Sequence, residues 1–152
     1  MVKNIPQAND LDKVIDVFTY VYMHPGCHLQ EVSDYIGFSD RQGRYYFHAC
    51  EYLGLVTKEN HSITPLGREI WENSPLNVAE RVYERIMTDE VMGQVFAHGL
   101  LFPKDDLEAF SRTVVAAYYP DLTSSDTTFE RRCNVIVKWV TRILNYVKLK
   151  NK

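Results

Sequence analysis

The stretch "SDRQGRYYFHACEYLGLV", residues 39–56, gathers Arg41, Gln42, Arg44, Tyr45 and His48 within eight positions. These side chains share one kind of chemistry. Arginine makes a two-pronged contact with guanine and glutamine with adenine, while tyrosine and histidine can bond bases or phosphates. Acting together requires a common face. Residues three and four apart share a face on a helix. A helix over this stretch therefore puts Tyr46, Ala49, Cys50 and Leu53 on an apolar side and Arg41, Arg44, Tyr45 and His48 opposite. Ser39 and Gln42 form a Ser-x-x-Gln capping box, and Gly54 is a stop residue. Ser39 and the free N–H groups of the first turn could also hold a phosphate. Plainer roles compete. Arg41 and Arg44 could pair with Asp40 and nearby acids, Gln42 could serve the cap alone, and His48 could be a satisfied surface histidine.

The flanking elements decide whether such a helix is presented. Asp10 can cap a helix from about residue 11 to 23, with Leu11, Val14, Ile15, Phe18, Val21 and Tyr22 at inward spacing. "HPGC" breaks it. "HLQEVSDYIGF" follows as a short helix with Gly37 at its C-cap, and "GFS" is a turn of helix-turn-helix length. After the arginine-bearing helix, "LVTKENHSITP" alternates and predicts a β-hairpin pairing 55–57 with 62–64. Lys58 and His61 would then sit near phosphates. Thr64 and Pro65 open a fourth helix that packs through Leu66, Ile70 and Trp71. The expected class is mainly α. Residues 1–74 would form a winged helix-turn-helix, three helices plus a β-hairpin wing, and "ENSPLN" would link it to an all-helical domain over 75–152.

Charge adds a second candidate surface. Residues 126–152 carry 7 basic and 2 acidic side chains, although the whole chain has a net charge of -3. The helix expected from about 127 to 148 has an apolar side of Phe129, Cys133, Ile136, Val140, Ile143 and Val147. Its opposite stripe is Arg131, Asn134, Lys138, Arg142 and Asn145. "SDTTFERRCNVI" faintly echoes "SDRQGRYYFHAC" at an offset of 86 residues. Both begin Ser-Asp, and Arg131-Arg132 align with Tyr45-Tyr46. A second helix-turn-helix, with this helix reading DNA, would explain the basic charge. A buttress for the first module or a dimer seam is the alternative.

Little points to catalysis. Asp105, Asp106 and Glu108 form the densest acidic cluster, but they lack the lysine partner of a metal-dependent nuclease and open a helix, where carboxylates suit the dipole. No P-loop, nucleophile elbow or glycine-rich dinucleotide fingerprint is present. Cys27, Cys50 and Cys133 have no CxxC spacing, and the histidines lack metal-ligand spacing. No cofactor or metal is expected, and the chain reads as non-enzymatic. The absence of a long apolar run or a secretory signal makes a cytoplasmic protein without membrane contact the expectation.

Two islands of sequence resemble the winged-helix modules of type II restriction enzymes and restriction-system-associated proteins. In the first, Arg41, Gln42, Tyr45, Tyr46, Ala49, Leu53, Gly54 and Leu55 match, followed by Thr64 and Gly67, with Ile63 in place of leucine. In the second, Arg131, Arg132 and Trp139 match, while Val135 stands where a threonine is usual. The resemblance implies a double-stranded-DNA recognition module beside a nuclease or ATPase partner domain or chain. The expected DNA-binding residues are Arg41, Gln42, Arg44, Tyr45, His48 and Lys58, with Arg131, Asn134, Lys138 and Arg142 from the basic helix. Two other readings use the same fold. One is a transcription regulator, a homodimer joined through its C-terminal helices. The other is a protein-interaction module without DNA binding, which the net acidity favours.

Overall fold

The computed structural model describes residues 3–123 and 125–151. Eight helices are present among them: α1 (Leu11–Met23), α2 (Leu29–Ile36), α3 (Asp40–Tyr52), α4 (Pro65–Asn73), α5 (Val78–Met87), α6 (Met92–Leu101), α7 (Leu107–Tyr118) and α8 (Thr127–Lys150). The chain divides into two compact units, residues 3–82 and 83–151, and the division falls within α5.

In the first unit, local chemistry sets the helix ends. The Asp10 carboxylate accepts from the Asp12 and Lys13 N–H groups, and Gly37 closes α2 at φ 89°. Ser39 and Gln42 form the reciprocal box that starts α3. The Thr64 hydroxyl accepts from the Gly67 N–H at 3.0 Å while donating to the Gly54 carbonyl at 2.6 Å, so the start of α4 is tied to the end of α3. Leu11, Val14, Val17, Phe18 and Val21 of α1 are buried, as are Val32 of α2 and Ile70 of α4. Val17 also faces inward, although the expected inward set does not include it. Ile15 and Tyr22 stay half-exposed. Tyr22 stacks flat against Trp71, with ring centroids 5.2 Å apart.

The expected β-hairpin wing is absent, and with it the winged helix-turn-helix architecture. Among the described residues there is no strand, only a single antiparallel bridge between Val56 and Ile63. The physical reason is room and competition. Only residues 53–64 lie between α3 and α4, and both ends are taken up by helix caps. Two backbone bonds join 55–57 to 62–64, Thr57 N–H to Ser62 O at 2.8 Å and Thr64 N–H to Leu55 O at 3.1 Å, and His61 N–H turns back to Thr57 O at 3.1 Å. The Thr57 hydroxyl then takes the Ser62 N–H at 3.0 Å and donates to Asn60 at 2.6 Å, folding the tip into a side-chain-closed loop. A two-stranded ribbon this short has no independent stability.

In the second unit, α6, α7 and α8 pack on one another. Phe129, Cys133, Val135, Ile136, Trp139, Val140, Ile143 and Leu144 of α8 are buried. Gly99 permits close approach of α6 to α8, since a Cβ there would lie 2.7 Å from Leu144 Cδ1. Nor is a second helix-turn-helix seen among the described residues. Residues 119–126 join α7 to α8, longer than the three- or four-residue turn of that motif, and α8 is a single 24-residue helix. No helix among the described residues is long and apolar enough to cross a membrane. All three cysteines are free.

One contact governs how closely α3 approaches α2. A Cβ added at Gly43 would lie 2.2 Å from Ser33 Oγ, and that hydroxyl is buried with no hydrogen-bond partner. Gly43→Ala is expected to destabilise the chain by about 1–3 kcal/mol in chemical unfolding, overpacking outweighing the gain in helix propensity. Ser33→Ala alone is expected to be neutral or stabilising, and to remove most of the Gly43→Ala penalty in the double variant. Equal penalties in both backgrounds would contradict this contact.

Candidate nucleic-acid interface

Burial divides α3 into two sides. Tyr46, Phe47, Ala49, Cys50, Tyr52 and Leu53 are each less than a tenth exposed. Arg41, Gln42 and Arg44 are exposed, and Tyr45 and His48 are half-buried. The buried side is held by more than apolar contact. Tyr46 accepts the Asp10 N–H at its hydroxyl oxygen, 3.0 Å away, and Cys50 Sγ lies 3.5 Å from the Val14 carbonyl. These bonds fix the rotation of α3 against α1.

On the exposed side the residues are not equivalent. Arg41 donates from Nε to the Tyr45 hydroxyl at 2.8 Å, and its guanidinium carbon lies 5.6 Å from that ring's centre. Arg44 is exposed and has no polar partner among the described residues, so neither arginine is engaged by Asp40. The Gln42 side chain is occupied by the cap, its Oε1 accepting the Ser39 N–H at 3.2 Å. Lys58 is exposed on the 57–62 loop. Burial, and then the Lys58 ammonium, push the His48 imidazole below its ordinary 6.5. His48 therefore acts at neutral pH as an uncharged donor and acceptor. His61 adopts φ 50°, places its ring 4.2 Å from Phe47 and lies 3.5 Å from Glu51, and burial lowers its pKa as well. That ring contact ties the 57–62 loop to α3 and takes His61 out of the set of exposed phosphate contacts.

Arg41 and Tyr45, separate contributors by spacing alone, are joined in the structure. Their spacing of four on a helix was the available signal. In the other unit, Arg131, Asn134, Lys138 and Arg142 are all exposed along α8. Arg132 is not part of that row, since its guanidinium lies over the Tyr119 ring at 4.3 Å. The acidic cluster has local roles. Asp105 lies 3.0 Å from His98 Nε2, and Asp106 caps α7 by accepting the Glu108 N–H. Among the described residues no three His, Cys, Asp or Glu side chains are grouped to hold a metal ion.

Because His48 and His61 are shifted down, the folded chain binds fewer protons than the unfolded chain between their lowered pKa values and 6.5. Their contribution to stability is thus lost as pH falls below about 6.5. Residue-resolved NMR titration is expected to place both midpoints below 6.5 in the folded chain. Midpoints at or above that value would contradict the burial argument.

A family model for a domain of unknown function (DUF7226) matches residues 13–148. No curated protein and no solved structure matches the chain. The match covers both units, and the chain belongs to that family.

Proposed function

We propose that this chain is a non-catalytic, sequence-recognising double-stranded-DNA-binding module that lays α3 in the major groove. The observation that carries the reading is the side of α3 left outside. It presents two arginines, a tyrosine and an uncharged histidine at helical spacing, with Arg44 unpaired and the backbone behind them rigidly capped. The major groove admits one α-helix and displays the acceptors of guanine that arginine fits. The α3 part of the resemblance to restriction-system modules, Arg41, Gln42 and Tyr45, points to the same use although the wing of those modules is absent here, with cleavage supplied by a nuclease or ATPase partner domain or chain. The exposed row on α8 is assigned to phosphates, since it is basic, long and without a sharply defined cluster.

Loss of Arg41 or Arg44 to alanine is expected to relax preference at one base pair each, at a cost of about 1–3 kcal/mol. Lys138→Ala and Arg142→Ala are expected to weaken binding evenly across sequences and to reduce the salt slope by about one ion each. Site selection from a random duplex pool, with affinities measured across a salt series, checks both. Unchanged binding by the Arg41/Arg44 double variant would remove α3 from the interface.

A protein-interaction module is the second reading, favoured by one surface feature. Tyr35 is 71% exposed and packs at a tilt against Tyr20, which itself stacks on His24, next to Glu31 and Asp34 in a chain of net charge -3. Failure to bind any duplex at low salt, where non-specific binding is strongest, would favour this reading over the first.

A further inference from the structure

Arg41 has three ways to use its guanidinium, and the structure has already closed two of them. The Nε–H is committed to the Tyr45 hydroxyl at 2.8 Å. A side-on grip, which needs Nε together with one Nη, is therefore blocked, as is a single contact through Nε. What remains is the outer edge, where the two Nη groups present parallel N–H donors. Arg41 has no other polar partner among the described residues, so that edge is free. The residue occupies the second position of α3, within the capped first turn, where residues of a groove-bound helix reach base edges.

The hydroxyl that holds Nε does two things. It restricts a long side chain whose free rotamers would otherwise have to be frozen on binding. It also selects the end-on geometry, in which two N–H donors point the same way. The chemical group with two matching acceptors in the major groove is guanine, through O6 and N7. Arg44 has no such brace and keeps all its donors and rotamers. It suits a phosphate as well as a base.

We infer that Arg41, braced at Nε by the Tyr45 hydroxyl, is the guanine-specifying residue of α3, and that Tyr45 is a positioning residue acting through it. This rests on the reading of α3 as a duplex-binding helix. The contribution of Tyr45 to specificity runs through the orientation of Arg41.

Binding sites are selected from a random duplex pool with the wild-type chain and with Arg41→Ala, Arg41→Lys and Tyr45→Phe, and affinities for the best site and its single-base variants follow. The wild type is expected to require guanine at one position. Arg41→Ala and Arg41→Lys are expected to lose about 5- to 150-fold discrimination there, because a lysine keeps the charge but not the fork. Tyr45→Phe is expected to lose roughly 3- to 10-fold at that same position and nothing elsewhere, with an unchanged salt slope and unfolding midpoint. Retained discrimination in Tyr45→Phe would overturn the bracing. An Arg41→Lys chain as selective as the wild type would overturn it too, and would mark Arg41 as a phosphate contact. A wild-type chain that selects sequence while these variants leave selectivity intact sinks this inference alone, whereas a wild-type chain that binds no duplex sinks it together with the function proposed above.

Discussion

Everything in the first unit follows from how α3 must bury one side. Tyr46, Phe47, Ala49, Cys50 and Leu53 leave almost no surface to solvent, and the Tyr46 hydroxyl takes the N–H of the residue that caps α1. Turning α3 by one residue would expose this set and push Arg44 or Tyr45 towards the core. An unpaired buried charge costs far more than any contact it could replace. The arginines are outside because nothing else is compatible with the core. The same argument explains Gly43. It lies on the side facing α2, where only a residue without a Cβ lets the helices meet at Ser33.

The helices of this chain were legible because their signals are local. Asp10, Ser39, Thr64 with Pro65, Gly37 and Gly54 each act through a bond to a near neighbour, and each does so in the structure. The wing was misread for the complementary reason. Alternation in "LVTKENHSIT" is a signature of a ribbon, but a ribbon also needs length, and the caps of α3 and α4 leave too little chain for one. Thr57 then competes for the Ser62 N–H with its own hydroxyl, which no periodicity count detects. The second helix-turn-helix failed similarly, since the echo between "SDTTFERRCNVI" and the α3 sequence reports a shared helix start and not a shared turn before it.

For the candidate site, face membership was readable and partnership was not. Spacing alone put Arg41, Arg44, Tyr45 and His48 on one side. It did not show that Arg41 is held by Tyr45, that Gln42 spends its amide oxygen on the cap, or that burial keeps His48 neutral. These differences matter for a binder with few charges. A chain of net charge -3 gains little from bulk attraction to phosphate, so discrimination must come from a small number of well-held donors. The basic end of the sequence lies along α8 in the other unit, where exposed Arg131, Lys138 and Arg142 can supply the sequence-independent part of affinity.

The most direct test is an NMR titration of the isotopically labelled full chain with duplex DNA at low salt. The expected result is a set of shifts centred on the amides and side chains of Arg41, Arg44, Tyr45 and His48, saturating with duplex and reversed by added salt. Absence of shifts at these residues, whether the chain ignores duplex altogether or responds only elsewhere, would contradict the assignment of α3 as the reading helix.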